Sequence, residues 1–308
     1  MRLIFMGTPE AAVPTLQRCI EDGHEIAAVW TQPDRPAGRG NRLTTTPVKE
    51  FALKRGLAVE QPLKIRTDEA RDLFAACEAD AAIVVAYGRI LPQSFLRAPR
   101  RGCINVHFSL LPNYRGAAPV NWAIVRGESL TGVTTMQMDA GLDTGAILLQ
   151  RETEITAAVT APSLMKRLAE MGALLLSETL ARLDEIEPRE QSEEKATFAP
   201  MLRREDGLVD WALDAFQIER RVRGFQPWPN AYTSYQSRRL VIRRAEAERA
   251  SHQSTAGEII EARGDSLVVA CGSETALRLL EVQTEGKRSM SARDFVNGAH
   301  VLAGERVG

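Results

Sequence analysis

Short, wholly apolar runs separated by helix-length amphipathic segments leave the first half of this chain few folds. The runs are LIFM (3–6), IAAVW (26–30), AAIVVA (81–86), CINVH (103–107) and GVTTMQM (132–138). A strand that is apolar on both sides must be covered on both sides, and alternation with helices predicts a parallel α/β sheet sandwiched between helical layers. Between the first two runs, AAVPTLQRCIED closed by Gly23 has the pattern of a helix with a glycine stop. Open sheets of this kind take ligands outside the carboxyl ends of their strands. A site is therefore expected just after LIFMG, AAIVVA and CINVH.

The pattern changes farther on. SLMKRLAEMGALLLSETLARL (163–183) has a helical apolar period, then gives way to DEIEPREQSEEK (184–195), a charged stretch without large apolar residues that reads as a connection. Beyond it, one more helical period, LDAFQIERRVRGF (213–225), precedes the short runs AYTSY, RLVIRR, GEIIEA, SLVVAC and ALRLLEV. Short strands at regular spacing predict a small β-barrel. The 308 residues suit about two domains. The expected division is 1–188, a linker over 189–205, and 206–308.

The net charge of −1 excludes a globally basic nucleic-acid binder and leaves local patches open. Four scattered cysteines give no paired spacing, so reduced thiols in a cytoplasmic protein are expected. The opening LIFMG run is too short for a signal segment, and no apolar stretch approaches a membrane span, so no membrane role is expected.

Several common enzyme classes lack their motifs. The first βα turn, FMGTPEAA, has no G-x-G-x-x-G fingerprint, so NAD is not expected, and no Walker loop occurs. The four histidines are far apart, so no metal is expected, and no G-x-S-x-G elbow is present. What remains is Asn105-Val106-His107. Residues two apart on a strand share a face, so an amide and an imidazole project together at a strand's carboxyl end. Such a pair can donate to a carbonyl oxygen as it becomes negative, or move a proton. It also fits a loop-capping amide and a satisfied core histidine. MDAGLDTG (138–145) sets Asp139 and Asp143 between glycines, where a carboxylate could orient His107, or where the chain simply turns at the surface. VAYGRILP (85–92) could wall a flat ligand or be an ordinary βα connection.

NVHFSLLPNYRGAAPVNWAI, with MDAGLDTG some twenty residues later, resembles the tetrahydrofolate-dependent formyltransferases. QPDRPAGRG (32–40), WALDAFQIERRVRGFQPWPNAYT and GKRSMSARDFVNGA (286–299) extend the resemblance almost end to end, toward the members that act on charged initiator tRNA. It implies a doubly wound, Rossmann-like, mostly parallel N-terminal domain and a C-terminal OB-like β-barrel that binds tRNA. The cosubstrate it implies is 10-formyltetrahydrofolate, and the acceptor is the α-amino group of methionine on initiator tRNA. A small amine such as an amino sugar is the alternative acceptor. By matching positions, Asn105, His107 and Asp143 are the expected catalytic residues. Ser109, Leu110, Leu111 and Pro112, with Val85, Tyr87, Gly88, Ile90, Leu91 and Asp139, are expected at the folate. A monomer is expected.

Cations cluster locally despite the near-zero net charge. Arg35, Arg39, Arg42 and Lys49 lie in and beside a Gly- and Pro-rich loop, and Arg238, Arg239, Arg243 and Arg244 flank a strand after a helix that carries Arg220. Arginine suits phosphate because its fork binds two oxygens. With the resemblance, these are the expected tRNA contacts. Alone, a run of charges is usually a solvated face.

Overall fold

A computed structural model describes residues 1–37, 42–251 and 253–308. Arg39 lies outside the described residues, as does the side chain of Arg42. The described chain divides into two compact units. The first comprises Met1–Pro119, Leu130–Glu154 and Met165–Ala199, and the second comprises Val120–Ser129, Ile155–Leu164 and Pro200–Gly308.

The strands of the first unit are β1 (Arg2–Gly7), β2 (Glu25–Trp30), β3 (Arg35–Ala37), β4 (Arg42–Thr44), β5 (Val59–Glu60), β6 (Ala81–Val85), β7 (Cys103–His107), β8 (Leu130–Gln137) and β9 (Ile147–Glu154). Seven form one sheet in the order β5-β2-β1-β6-β7-β8-β9, while β3 and β4 pair separately. From β5 to β7 the pairing is parallel, and β1 has β2 on one side and β6 on the other. The chain therefore switches winding direction at β1, the place where such sheets form a ligand crevice. The apolar runs explain the burial: every residue of β6 and β7 is buried.

The edge differs from the core. β8 pairs antiparallel with β7, and β9 antiparallel with β8. Only residues 138–146 connect β8 to β9, too few for the crossover that a parallel neighbour requires. That short connection is the MDAGLDTG stretch.

Two helices of this unit begin where a threonine side chain satisfies a free amide donor. In α2 (Pro47–Lys54) Thr46 accepts from the Lys49 amide, and in α3 (Asp68–Ala75) Thr67 accepts from the Ala70 amide. Ahead of them, α1 (Val13–Glu21) ends at Gly23, which has φ +78°. Under the sheet, Trp30 meets Phe74 of α3 and Phe95 of α4 (Gln93–Arg97) edge-on, with centroids 5.3 and 5.5 Å away, and the two phenyl rings stack at 4.2 Å. Phe74→Ala is expected to cost about 3–5 kcal/mol in urea unfolding followed by tryptophan fluorescence. A loss below about 1 kcal/mol would mean that the neighbours refill the space.

The 21-residue α6 (Ala161–Ala181) belongs to the first unit from Met165 on, and beyond α5 (Pro119–Arg126) and α7 (Ala215–Gly224) the second unit is antiparallel. Its strands are β10 (Tyr232–Tyr235), β11 (Arg238–Arg249), β12 (Ile259–Arg263), β13 (Ser266–Cys271), β14 (Thr275–Thr284) and β15 (Met290–Ser291), followed by α8 (Ala292–Ala299). They join in the order β10-β11-β14-β13-β12, with β15 on β14. The core between sheet and helices includes Ile218 and Val222 of α7, Leu240, Leu277 and Phe295.

β11 contains a bulge around Arg244. Before it, even-numbered Leu240 and Ile242 face the core; after it, odd-numbered Ala245 does. Strand side chains alternate faces, so one extra residue reverses the parity. Without the bulge Arg244 would point into the core; with it, Arg244 is exposed.

Candidate active site

The site is built at the carboxyl end of β7. Val106 packs to one side, while Asn105 and His107 share the other face and are only 8 % and 6 % exposed. The Asn105 side-chain amide makes no hydrogen bond with another described residue. The residue is mostly buried, yet its amide atoms are not among the fully buried unpaired polar atoms, so they stay reachable at the strand end, where an incoming group can supply the partner. Two residues before Asn105 is Cys103. Burial pushes its thiol up to about 12, so no thiolate is available there at neutral pH.

His107 Nε2 lies 3.0 Å from the Tyr114 carbonyl oxygen. A carbonyl can only accept, so Nε2 carries the proton and donates it. The other ring nitrogen, Nδ1, faces Asp143 Oδ2 at 3.7 Å. Asp143 Oδ2 also accepts from the Gly116 amide at 2.8 Å. Asp143 has φ +54°, a left-handed conformation uncommon outside glycine. The structure thus brings His107 and Asp143 together, with Asn105 one strand step away on the same face.

Asp139 stands apart from this group. It is exposed, and its Oδ1 accepts from the Gly141 amide at 3.0 Å and from Thr144 Oγ1 at 2.7 Å, which shapes the 138–145 turn. Gly145 closes that turn so tightly that a Cβ built on it would sit 1.7 Å from the Gln137 carbonyl oxygen.

The remaining predicted residues fall in two places. Ser109 is fully buried and donates to the Asn113 carbonyl at 2.6 Å. Leu111 is buried, and Leu110 and Pro112 are half-buried. Thr134 organises this segment: its hydroxyl donates to the Ser109 carbonyl and accepts from the Leu111 amide and from Gln150 Nε2. In the other loop, Val85, Tyr87 and Leu91 are buried, Gly88 has φ +81°, and Ile90 is exposed. Tyr87 packs within the sheet core, and burial pushes its hydroxyl above the usual range. Gln32, from the QPDRP stretch, donates to the Tyr87 carbonyl at 3.0 Å, and Thr8 donates to the same oxygen at 3.1 Å.

Sequence reasoning missed Thr134, Gln150, Arg115 and Gln191. Arg115 is 1 % exposed; its Nε donates to Gln191 Oε1 at 3.0 Å, and its two terminal nitrogens each donate to Glu193 at 2.9 Å. That pairing holds the Glu193 carboxyl below its usual range. The stretch expected to be a linker begins as part of the first unit. Arg189 pairs with Ile147, Phe198 pairs with Arg115, and Thr197 Oγ1 accepts from the Tyr114 amide. The partners are mostly backbone groups, which composition does not reveal.

The predicted cations are not alike. Lys49 is engaged by Asp34 at 2.6 Å, and Arg243 by Asn230 at 2.7 Å and Gln283 at 3.1 Å. Arg239 lies over the Tyr232 ring, 3.9 Å from its centroid, and Arg220 is half-buried against Gly127. Arg35, Arg238 and Arg244 are exposed. Among the described residues no group of three or more His, Cys, Asp or Glu side chains could hold a metal, and no helix is long and apolar enough to cross a membrane.

Two family models match the chain: "Formyl transferase" over residues 1–180 and "Formyl transferase, C-terminal domain" over residues 201–300. It is 48% identical to the methionyl-tRNA formyltransferase of Solibacter usitatus over 310 residues, covering 100% of this chain and 99% of that one. It is 49% identical to the protein of the same name from Koribacter versatilis, again covering 100% and 99%. Among solved structures it resembles an N-formyltransferase from Helicobacter canadensis in complex with folinic acid and dTDP-3-aminofucose. The TM-score is 0.65 at 17% identity, over 92% of this chain and 98% of that one. HypX from Aquifex aeolicus in complex with tetrahydrofolic acid gives a TM-score of 0.63 at 17% identity, over 97% of this chain and 48% of that one. At such identities the structural likeness speaks for the fold alone.

Proposed function

The chain belongs to the formyl transferase family, and from the site it carries we propose that it transfers a formyl group to the α-amino group of methionine on charged initiator tRNA, drawing on 10-formyltetrahydrofolate. The single observation that carries the chemistry is the Asn105 amide, reachable and without a hydrogen-bond partner among the described residues, on the same strand face as the His107 ring.

The acceptor amine attacks the formyl carbon of the folate, the bond from that carbon to N10 breaks, and the proton the amine loses ends on N10. Asn105 donates to the formyl oxygen as negative charge develops on it. Because Asn105 has no competing partner to release, its dipole is already free to act. His107 is held at Nε2 by the Tyr114 carbonyl, which leaves Nδ1, facing the Asp143 carboxylate, as the ring atom that can take or give a proton. Asp143 in turn is anchored by the Gly116 amide, so the constellation does not depend on flexible side chains alone.

The folate is expected against the 109–112 segment and the backbone of the 85–91 loop, which the Thr134 and Gln32 hydrogen bonds hold in shape. In the proposed division of labour, the first unit, whose last segment ends at Ala199, carries the chemistry, and the second unit meets the tRNA. Near full-length coverage of the relatives named methionyl-tRNA formyltransferase supports the acceptor.

The test is transfer of labelled formyl from 10-formyltetrahydrofolate to charged methionyl initiator tRNA, with uncharged tRNA as control. Label on the charged species alone supports the proposal. Label on a small amine instead, or release of formate without transfer, would keep the folate site and overturn the acceptor. For the tRNA contacts, Arg238→Glu and Arg244→Glu are the informative changes, since both side chains are exposed. Each is expected to raise KM for tRNA, leave kcat unchanged, and flatten the salt dependence of binding by roughly one unit of slope. An unchanged KM in both variants would remove this strand from the interface.

A further inference from the structure

We propose that Gln191, in the last segment of the first unit, is a positioning residue that holds Asp143 in its working conformation. The inference rests on the formyl-transfer function proposed above and extends it to a residue outside the expected catalytic three.

Three observations point the same way. First, Asp143 sits at φ +54°, and a non-glycine residue remains in the left-handed region only when its surroundings over-determine it. Second, Gln191 supplies that determination: its Nε2 donates to the Asp143 carbonyl at 2.8 Å and to the Gly145 carbonyl at 2.7 Å, flanking the turn on both sides. Both amide hydrogens are thereby used. Third, the amide is itself held, because its Oε1 accepts from Arg115, whose buried guanidinium is fixed by both oxygens of Glu193.

The arrangement closes a ring. Arg115 directly precedes Gly116, and the Gly116 amide donates to Asp143 Oδ2. The Asp143 side chain is therefore gripped from the 114–116 segment and its backbone from Gln191, and both grips meet at Arg115. The 114–116 segment is also fixed to the same stretch, by Tyr114 to Thr197 and by the Ala199 amide to the Arg115 carbonyl at 2.7 Å. The carboxylate facing His107 is thus set by residues 191–199 as well as by its own loop.

Gln191→Ala is expected to lower kcat by roughly 10- to 100-fold, the scale of a misplacement near 1 Å, while KM for folate and for tRNA stays within about twofold. Gln191→Glu keeps the size and the Arg115 contact but loses both donors, and is expected to match Gln191→Ala. Full activity in the Glu variant would mean that Gln191 only fills space and would overturn the proposal. If Gln191 acts through Asp143, then adding Gln191→Ala to Asp143→Asn costs no more than about twofold beyond Asp143→Asn alone. Multiplying effects would show an independent role and sink the idea. A readout that needs no reaction is hydrogen exchange of the Gly116 amide in the free enzyme. It should accelerate in both Gln191 variants, and an unchanged rate would count against the proposal even if activity fell. Should the parent enzyme transfer no formyl group to tRNA, the functional proposal fails, while the exchange measurement still decides the role of Gln191.

Discussion

Asn105→Ala is expected to lower kcat for formyl transfer by about 10²–10³-fold, the usual consequence of removing one donor to a developing oxyanion. Its effect on stability should be small, and the separation of the two is the informative part. Deleting a buried amide normally strands its partner unsatisfied and destabilises the fold. Asn105 has no such partner among the described residues, so nothing is stranded. The variant should melt close to the parent and still bind folate. Steady-state kinetics with charged tRNA, alongside thermal melting, checks both halves. Near-normal turnover with an intact fold would remove Asn105 from the chemistry.

Gly145→Ala is expected to do comparable damage by a different route. The added methyl would sit 1.7 Å from the Gln137 carbonyl oxygen, a backbone atom that cannot rotate away. The 138–145 turn must therefore move as a body, and Asp143 moves with it. A displacement near 1 Å costs about 10²-fold in rate. Overpacking of this kind costs about 1–3 kcal/mol, so the melting temperature should also drop by several degrees. Gly298→Ala is the control, since a Cβ there meets nothing within 4 Å. Parent-like kinetics in Gly145→Ala would show that the turn can relax without disturbing the site.

What the sequence reveals of this molecule follows from the range of the interactions involved. Asn105 and His107 are legible because a two-residue spacing on a strand fixes their common face, and an apolar run announces the strand. Asp143 is legible as a carboxylate between glycines, though its contact with His107 is not. The parallel core and the antiparallel second unit follow from run length and spacing. Arg115, Thr134, Gln150 and Gln191 escape notice because they bind backbone carbonyls, amides or partners many residues away, which leave no local pattern. The same applies to the cations. Lys49 and Arg243 look like Arg238 and Arg244 in the sequence, yet Asp34 and Asn230 engage the first two. The outward turn of Arg244 depends on a single extra residue in β11, and alternation alone would assign it to the core.

The clasp formed by residues 189–199 also bears on where this protein can be divided. Composition suggests a seam at residue 188, and the three expected catalytic residues lie before it. A fragment ending there would keep Asn105, His107 and Asp143 and lose Gln191, Glu193, Thr197 and Ala199, the brace on two of their loops. The last segment of the first unit runs on to Ala199, past that seam. In any recombination that exchanges the second domain, residues 189–199 must be inherited with the first.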